Sequence, residues 1–145
     1  MIGISWHSTK LRNGTDRKRI DLTQLAEKLH APKIQLVNLQ YGDVSGELDC
    51  LRKEQKIEVI QAHGIDIKND IDGLAALIMA CDKVVSISNV TIHLAGALGK
   101  RSKALLDFSS DWRWGENEMT SYWYKSVFLH RQTEINNWDT VLKQL

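Results

Sequence analysis

Apolar residues recur along the chain in short runs separated by polar turns, and the runs alternate between two periods. Met1 to Trp6 is a compact apolar run with β-branched residues, the mark of a buried strand, and the polar loop His7 to Arg19 follows it. Asp21 is placed to cap a helix over Leu22 to Leu29, where Leu22, Leu25, Ala26 and Leu29 fall on one face and Pro32 marks the stop. Ile34 to Leu39 predicts a second strand, closed by the turn Gln40 to Asp43. Gly46 to Lys53 predicts a short helix anchored by Leu48, Cys50 and Leu51. A brief strand is expected over Ile57 to Ile60, then an apolar helix capped by Asp70 or Asp72 and running through Ala80. Val84 to Ser88 predicts the next strand, Val90 to Leu98 a helix ending at Gly99, Lys103 to Asp107 and Val127 to His130 two more strands, and the last helix begins near Asn137.

Strand and helix thus alternate with short connections, and the strands are apolar throughout rather than on every second residue. That pattern belongs to a parallel sheet covered on both faces, so the expected fold is a single α/β domain over 1–145, a Rossmann-like doubly wound, mostly parallel sheet with helices on both faces. In such sheets ligands lie beyond the carboxyl ends of the strands, where the loops after Trp6, Leu39 and Ile87 converge.

Composition narrows the function. The 145 residues suffice for one hydrophobic core, and 19 basic side chains against 18 acidic ones argue against a broad nucleic-acid-binding surface. The local basic excess is Lys10, Arg12, Arg17, Lys18 and Arg19 in the first loop, which suits a phosphate or a merely solvated loop. Cys50 and Cys81 stand outside any metal-ligand spacing and read as reduced buried thiols. The longest apolar run, Leu74 to Cys81, is too short to span a bilayer and no leader segment is evident, so the chain is expected in the cytoplasm.

The candidate chemistry centres on Val84 to Lys100, a strand that breaks at a polar turn and re-enters as a short helix. The first-turn amides of such a helix have no partner within it, and the helix dipole reinforces their pull on an anion. Ser88, Asn89, the Val90 amide, Thr91 and His93 are therefore expected to meet a ligand's phosphates, with an ordinary capped helix as the competing reading. Ser8 and Lys10 in the first loop add a hydroxyl and a cation, and Gln40 with Tyr41 at the end of the second strand could read and stack on a base or serve simply as turn residues. Trp112, Trp114, Trp123 and Tyr124 crowd one region and are expected to be buried, with stacking on a sugar or packing of a domain interface as the competing reading. Neither a Gly-x-Gly-x-x-Gly turn after the first strand nor a P-loop is present, and no Ser-His-Asp or Cys-His nucleophile set is evident.

The run Ser86-Ile-Ser-Asn-Val-Thr-Ile-His-Leu-Ala-Gly-Ala-Leu-Gly-Lys100 resembles the C-terminal half of GT-B glycosyltransferases. So do Asp111-Trp-Arg-Trp114, Trp123 to Gln132, Trp138-Asp139, the opening Ile2 to Trp6, and Arg19 to Leu22. The pattern is similar to domains that follow tetratricopeptide repeats in bacterial proteins, to lipopolysaccharide heptosyltransferases and, more distantly, to O-linked N-acetylglucosamine transferases. The resemblance implies a nucleotide-sugar donor held by its diphosphate at the helix near Val90, no cofactor and no metal, with Lys10 as the neutralising cation and Gln40 near the base. In those relatives the turn often reads Asp-Thr-x-x-x-His; here Ser88 and Asn89 replace the first two residues and His93 is kept. The resemblance also implies that the acceptor side and the catalytic base come from an N-terminal lobe, so the chain is expected to be an excised domain, a truncated product or a subunit needing a partner, such as that lobe or a tetratricopeptide repeat segment, and to be inactive alone. Two other readings stand beside it: a non-catalytic interaction domain with a vestigial site, and a complete small phosphate-ester-processing enzyme.

Overall fold

A computed structural model describes residues 1–8 and 18–145. Its elements are, in order, β1 (Ile2–Ser5), α1 (Leu22–Leu29), β2 (Leu36–Asn38), α2 (Ser45–Gln55), β3 (Val59–Ile60), α3 (Ile71–Ala80), β4 (Lys83–Ile87), α4 (Val90–Ala97), β5 (Ser102–Leu106), a 3₁₀ turn (Trp112–Trp114), β6 (Val127–Arg131) and α5 (Asp139–Leu142). The strands form one six-stranded sheet in the order β3-β2-β1-β4-β5-β6, and every neighbouring pair is parallel. This is the Rossmann-like α/β layout that the alternation predicts. Successive strands march outward from β1 to β3, then the chain returns across the sheet to β4, so the direction of winding reverses between β1 and β4. The reversal leaves a crevice at the carboxyl ends of these two central strands.

Alternate residues of the strands feed the two faces. Ile2, Ile4, Leu36, Val85, Ile87 and Leu105 pack beneath α1, α2 and α5, whose buried residues include Leu25, Leu51 and Val141. Val37, Leu39 and Val84 turn the other way, against Leu74 and Ile78 of α3 and Ala95 of α4. A third cluster, Ile92, Ala104, Leu106, Val127 and Leu129, closes around Trp114. Burial on both sides is why these strands are apolar at consecutive positions.

Local chemistry sets the helix ends. The Asp21 carboxylate accepts from the Gln24 amide at 3.1 Å, and Asp70, rather than Asp72, caps α3 by accepting from Gly73 at 2.8 Å. α4 stops where Gly99 takes φ +69°, which lets its amide and that of Lys100 satisfy the carbonyls of Gly96 and Ala95. The Lys100 ammonium then reaches the carbonyls of Met79 and Cys81 at the end of α3.

Several boundaries differ from expectation. The second and third strands are shorter than expected, because Ile34 and Ile57 sit against the core before ladder pairing begins. Cys81 is buried, but Cys50 is exposed on the outer side of α2. Trp114 is buried, whereas Trp112 and Trp123 are exposed, at 72% and 62%. Among the described residues no helix is long and apolar enough to cross a membrane.

Candidate functional site

The crevice between β1 and β4 is organised by a chain of side-chain hydrogen bonds across three strands. The Gln40 Oε1 accepts from the Ser5 hydroxyl at 2.8 Å, the Trp6 amide at 2.9 Å and the His7 amide at 3.0 Å. Its Nε2 donates to the Tyr41 carbonyl, and its own amide is held by Asn38 Oδ1. On the other side of Ser5, the Asn89 Nδ2 donates to the Ser5 Oγ at 2.7 Å, while Asn89 Oδ1 accepts from the Thr91 amide and the Ser86 hydroxyl, both at 3.0 Å. The ends of β1, β2 and β4 are thereby locked together under the first turn of α4.

This network reassigns several of the expected ligand contacts. Gln40, 1% exposed, has its polar side-chain atoms committed to the main chain, so it shapes the first loop instead of reading a base. Thr91 is wholly buried, and its hydroxyl donates to the Leu39 carbonyl at 3.3 Å. Ser88 is half-buried, and its hydroxyl accepts from the Trp114 indole at 2.9 Å. Asn89 is the helix cap, in extended backbone at φ −144°. Ser8 sits half-buried where the first loop leaves the sheet, its amide bonded to the Lys18 carbonyl at 3.2 Å. Lys10, with Arg12 and Arg17, lies outside the described residues. Arg19 pairs with Glu47 at 2.6 Å, and Glu47 also accepts from the Trp6 indole. Of the predicted α4 groups, the exposed Val90 with its amide, the Ile92 amide and His93 remain for a ligand; among the described residues neither amide has an acceptor.

Beside that helix start is a groove of about 550 Å³ lined by Val90, His93, Trp112, Arg113, Trp123 and Tyr124. His93 is half-buried, stacked on Trp114 with centroids 4.8 Å apart and planes 20° from parallel, and its Nδ1 is 3.3 Å from the Tyr124 hydroxyl. Burial pushes the His93 pKa down, and the charges of Arg113 and Lys18 push it further, against the opposing pull of Asp111. The imidazole at neutral pH is therefore uncharged. Asp111 caps the 3₁₀ turn through the Arg113 amide and pairs with the Arg113 guanidinium at 2.8 Å, and that guanidinium lies 5.1 Å over the Trp112 ring. Trp112 and Trp123 meet edge to face, with centroids 6.2 Å apart.

Arg113 is the site residue that the sequence pattern did not single out as a ligand group, and Trp112 and Trp123, expected to be buried, are exposed at the groove. The Asp-Trp-Arg-Trp string held the signal, since a carboxylate that fixes an arginine beside a tryptophan presents a positioned cation to an anion as much as it forms a packing motif. Asp107, 6% exposed at the end of β5, also has one carboxylate oxygen without a partner. Among the described residues no three His, Cys, Asp or Glu side chains gather as metal ligands.

The chain is similar to Protein FlbA of Caulobacter vibrioides, 37% identical over 143 residues, an alignment that takes in 97% of this chain and 23% of FlbA. The chain thus spans less than a quarter of the length of that relative. No family model matches the chain, and no solved structure matches it.

Proposed function

We propose that this domain is the nucleotide-sugar-binding lobe of a glycosyltransferase, with the donor diphosphate at the start of α4. The observation that carries the reading is the meeting, at the start of α4, of amides that have no acceptor among the described residues, the Arg113 guanidinium and a groove walled by Trp112 and Trp123. In this reading the Val90 and Ile92 amides donate to phosphate oxygens, and Arg113 supplies the fixed cation. Neutral His93 donates or accepts a hydrogen bond at the groove floor, and one tryptophan stacks on the base or sugar. As an acceptor hydroxyl displaces the nucleoside diphosphate from the anomeric carbon, negative charge grows on the departing phosphate, and donors already aimed there stabilise the transition state more than the ground state. The base that takes the acceptor's proton comes from a second lobe, in keeping with a chain that matches 23% of its longer relative.

Thermal unfolding of the domain with UDP, GDP, ADP or CMP tests this. One nucleotide at a hundred times its Kd stabilises by about 2.7 kcal/mol, which raises Tm by about 5–10 °C in a domain of this length. Arg113→Ala and His93→Ala are both expected to abolish the rise; the exposed Arg113 serves as the variant that leaves the fold intact. No shift with any nucleotide at millimolar concentration refutes the reading.

A second reading, a non-catalytic protein-interaction domain, draws on the exposure of Trp112 and Trp123, which meet edge to face beside the groove, and on the exposure of Phe108 and Tyr122 in the same connection. It takes over if nucleotides fail to bind.

A further inference from the structure

On the opposite rim, where β4, β5 and β6 begin, three cations gather around one cavity. Lys83 opens β4, Arg101 immediately precedes β5 and Lys103 lies on it. With His130, Phe128 and Met119 they line a space of about 290 Å³, and no Asp or Glu is among its lining residues. The fold explains why the corner is open. Helix α5 spans only Asp139–Leu142, so this end of the β5–β6 pair has little cover, and Phe128, in register with Lys103, is left 41% exposed. Lys103 donates to the main-chain oxygens of Gln144 and Leu145, at 2.9 and 3.3 Å, and among the described residues none of the three cations pairs with an Asp or Glu side chain. Partial burial and the charges of Lys83 and Arg101 lower the Lys103 pKa, so the cluster carries a repulsion that an anion would relieve.

His130 narrows the kind of anion. The Gln144 Nε2 donates to the Thr140 carbonyl, which turns its Oε1 toward the His130 Nδ1 at 3.0 Å. In the neutral ring Nδ1 therefore carries the hydrogen, and Nε2, buried and without a partner, holds a bare lone pair. A carboxylate has no proton to give that lone pair. A phosphate monoester, whose second ionisation falls near pH 6, brings both negative charge for the cations and a proton for the imidazole.

We propose that this basic cavity binds a phosphate monoester bearing a flat apolar group, with the phosphate among Lys83, Arg101 and Lys103, its proton shared with His130 Nε2, and the apolar group against Phe128 and Met119. The site lies at the amino ends of the strands, across the sheet from the donor groove, and does not depend on the reading given for that groove.

NMR titration of the ¹⁵N-labelled chain with phenyl phosphate, benzoate and inorganic phosphate tests it. Phenyl phosphate is expected to give saturating amide shifts at 83–85, 101–103 and 128–130, to move the His130 Nε2 resonance toward the protonated form, and to bind at least about tenfold more tightly than either benzoate or inorganic phosphate. Lys103→Gln should weaken it by at least about tenfold, since one charge-assisted hydrogen bond is lost, and Lys83→Gln gives the same readout should the first variant misfold. Shifts that stay linear, shifts confined to the amides of 90–93, equal affinity for benzoate, or binding untouched by both lysine variants would each overturn the proposal. Failure here leaves the nucleotide-dependent Tm rise unaffected, and failure of that rise leaves these shifts unaffected.

Discussion

Replacing Gln40 with alanine separates a residue that builds the crevice from one that reads a ligand. The side-chain oxygen accepts from the amides of Trp6 and His7 and from the Ser5 hydroxyl, all at 2.8–3.0 Å, in a place where Gln40 is 1% exposed. Truncation leaves the two amides at the end of β1 without an acceptor. A buried donor left unpaired costs about 1–3 kcal/mol, so the Trp6 amide alone puts the loss in that range, and the half-buried His7 amide adds a smaller part before any cavity is counted. Gln40→Met, which keeps the volume, removes the cavity part and should still lose about 1 kcal/mol or more. Ser5→Ala takes away one donor to Gln40 and the acceptor of the Asn89 Nδ2 but leaves both amides satisfied, so it should cost less than Gln40→Ala. Urea unfolding followed by intrinsic tryptophan fluorescence measures all three as a fall in midpoint at unchanged slope. A loss below about 1 kcal/mol for both Gln40 variants, together with weakened nucleotide binding, would refute the structural assignment and return Gln40 to the ligand.

Two further predictions concern the groove wall. A methyl at Gly96 would stand 2.7 Å from the Tyr124 Cδ2, so Gly96→Ala must push Tyr124 out of its place beside His93; we expect a loss of about 1–3 kcal/mol by urea unfolding and a changed His93 resonance, and an unchanged spectrum would show that the contact is slack. The pKa of His93 is lowered in the fold, chiefly by burial, so between its folded value and about 6.5 the unfolded chain binds the extra proton, and the domain should lose stability as pH falls through that window. His130, also lowered chiefly by burial, adds to the same trend. Arg113→Ala should raise the His93 pKa in an NMR titration while leaving that of His130 unmoved, and a fall or no change at His93 would contradict the placement of that guanidinium.

What was legible in the sequence follows from near-neighbour physics. Asp21 caps the helix it immediately precedes, one of the turn residues Ser88 and Asn89 is placed to cap α4 and Asn89 does, the apolar runs lie on buried strands, and Gly99 ends α4, because helix capping and period are settled within a turn or two of the chain. The length of α5 and the start of β3 were less clear, since tertiary packing against the sheet decides them.

Strand alternation and the polar turn at Ser88–Asn89 alone place a helix start at the rim of a parallel sheet. Which groups remain for a ligand there was decided by the tertiary structure. The Gln40 side chain closes on Ser5, 35 residues away, and Asn89 on Ser5, 84 residues away. Those partners exist only once β1 is set between β2 and β4 in one register. The same holds for Trp112 and Trp123, left in solvent while Trp114 fills the space over Ile92 and Leu106. Side chains so alike in composition part company because a buried polar atom must find its partner and an apolar ring must find room, and both are properties of the assembled sheet.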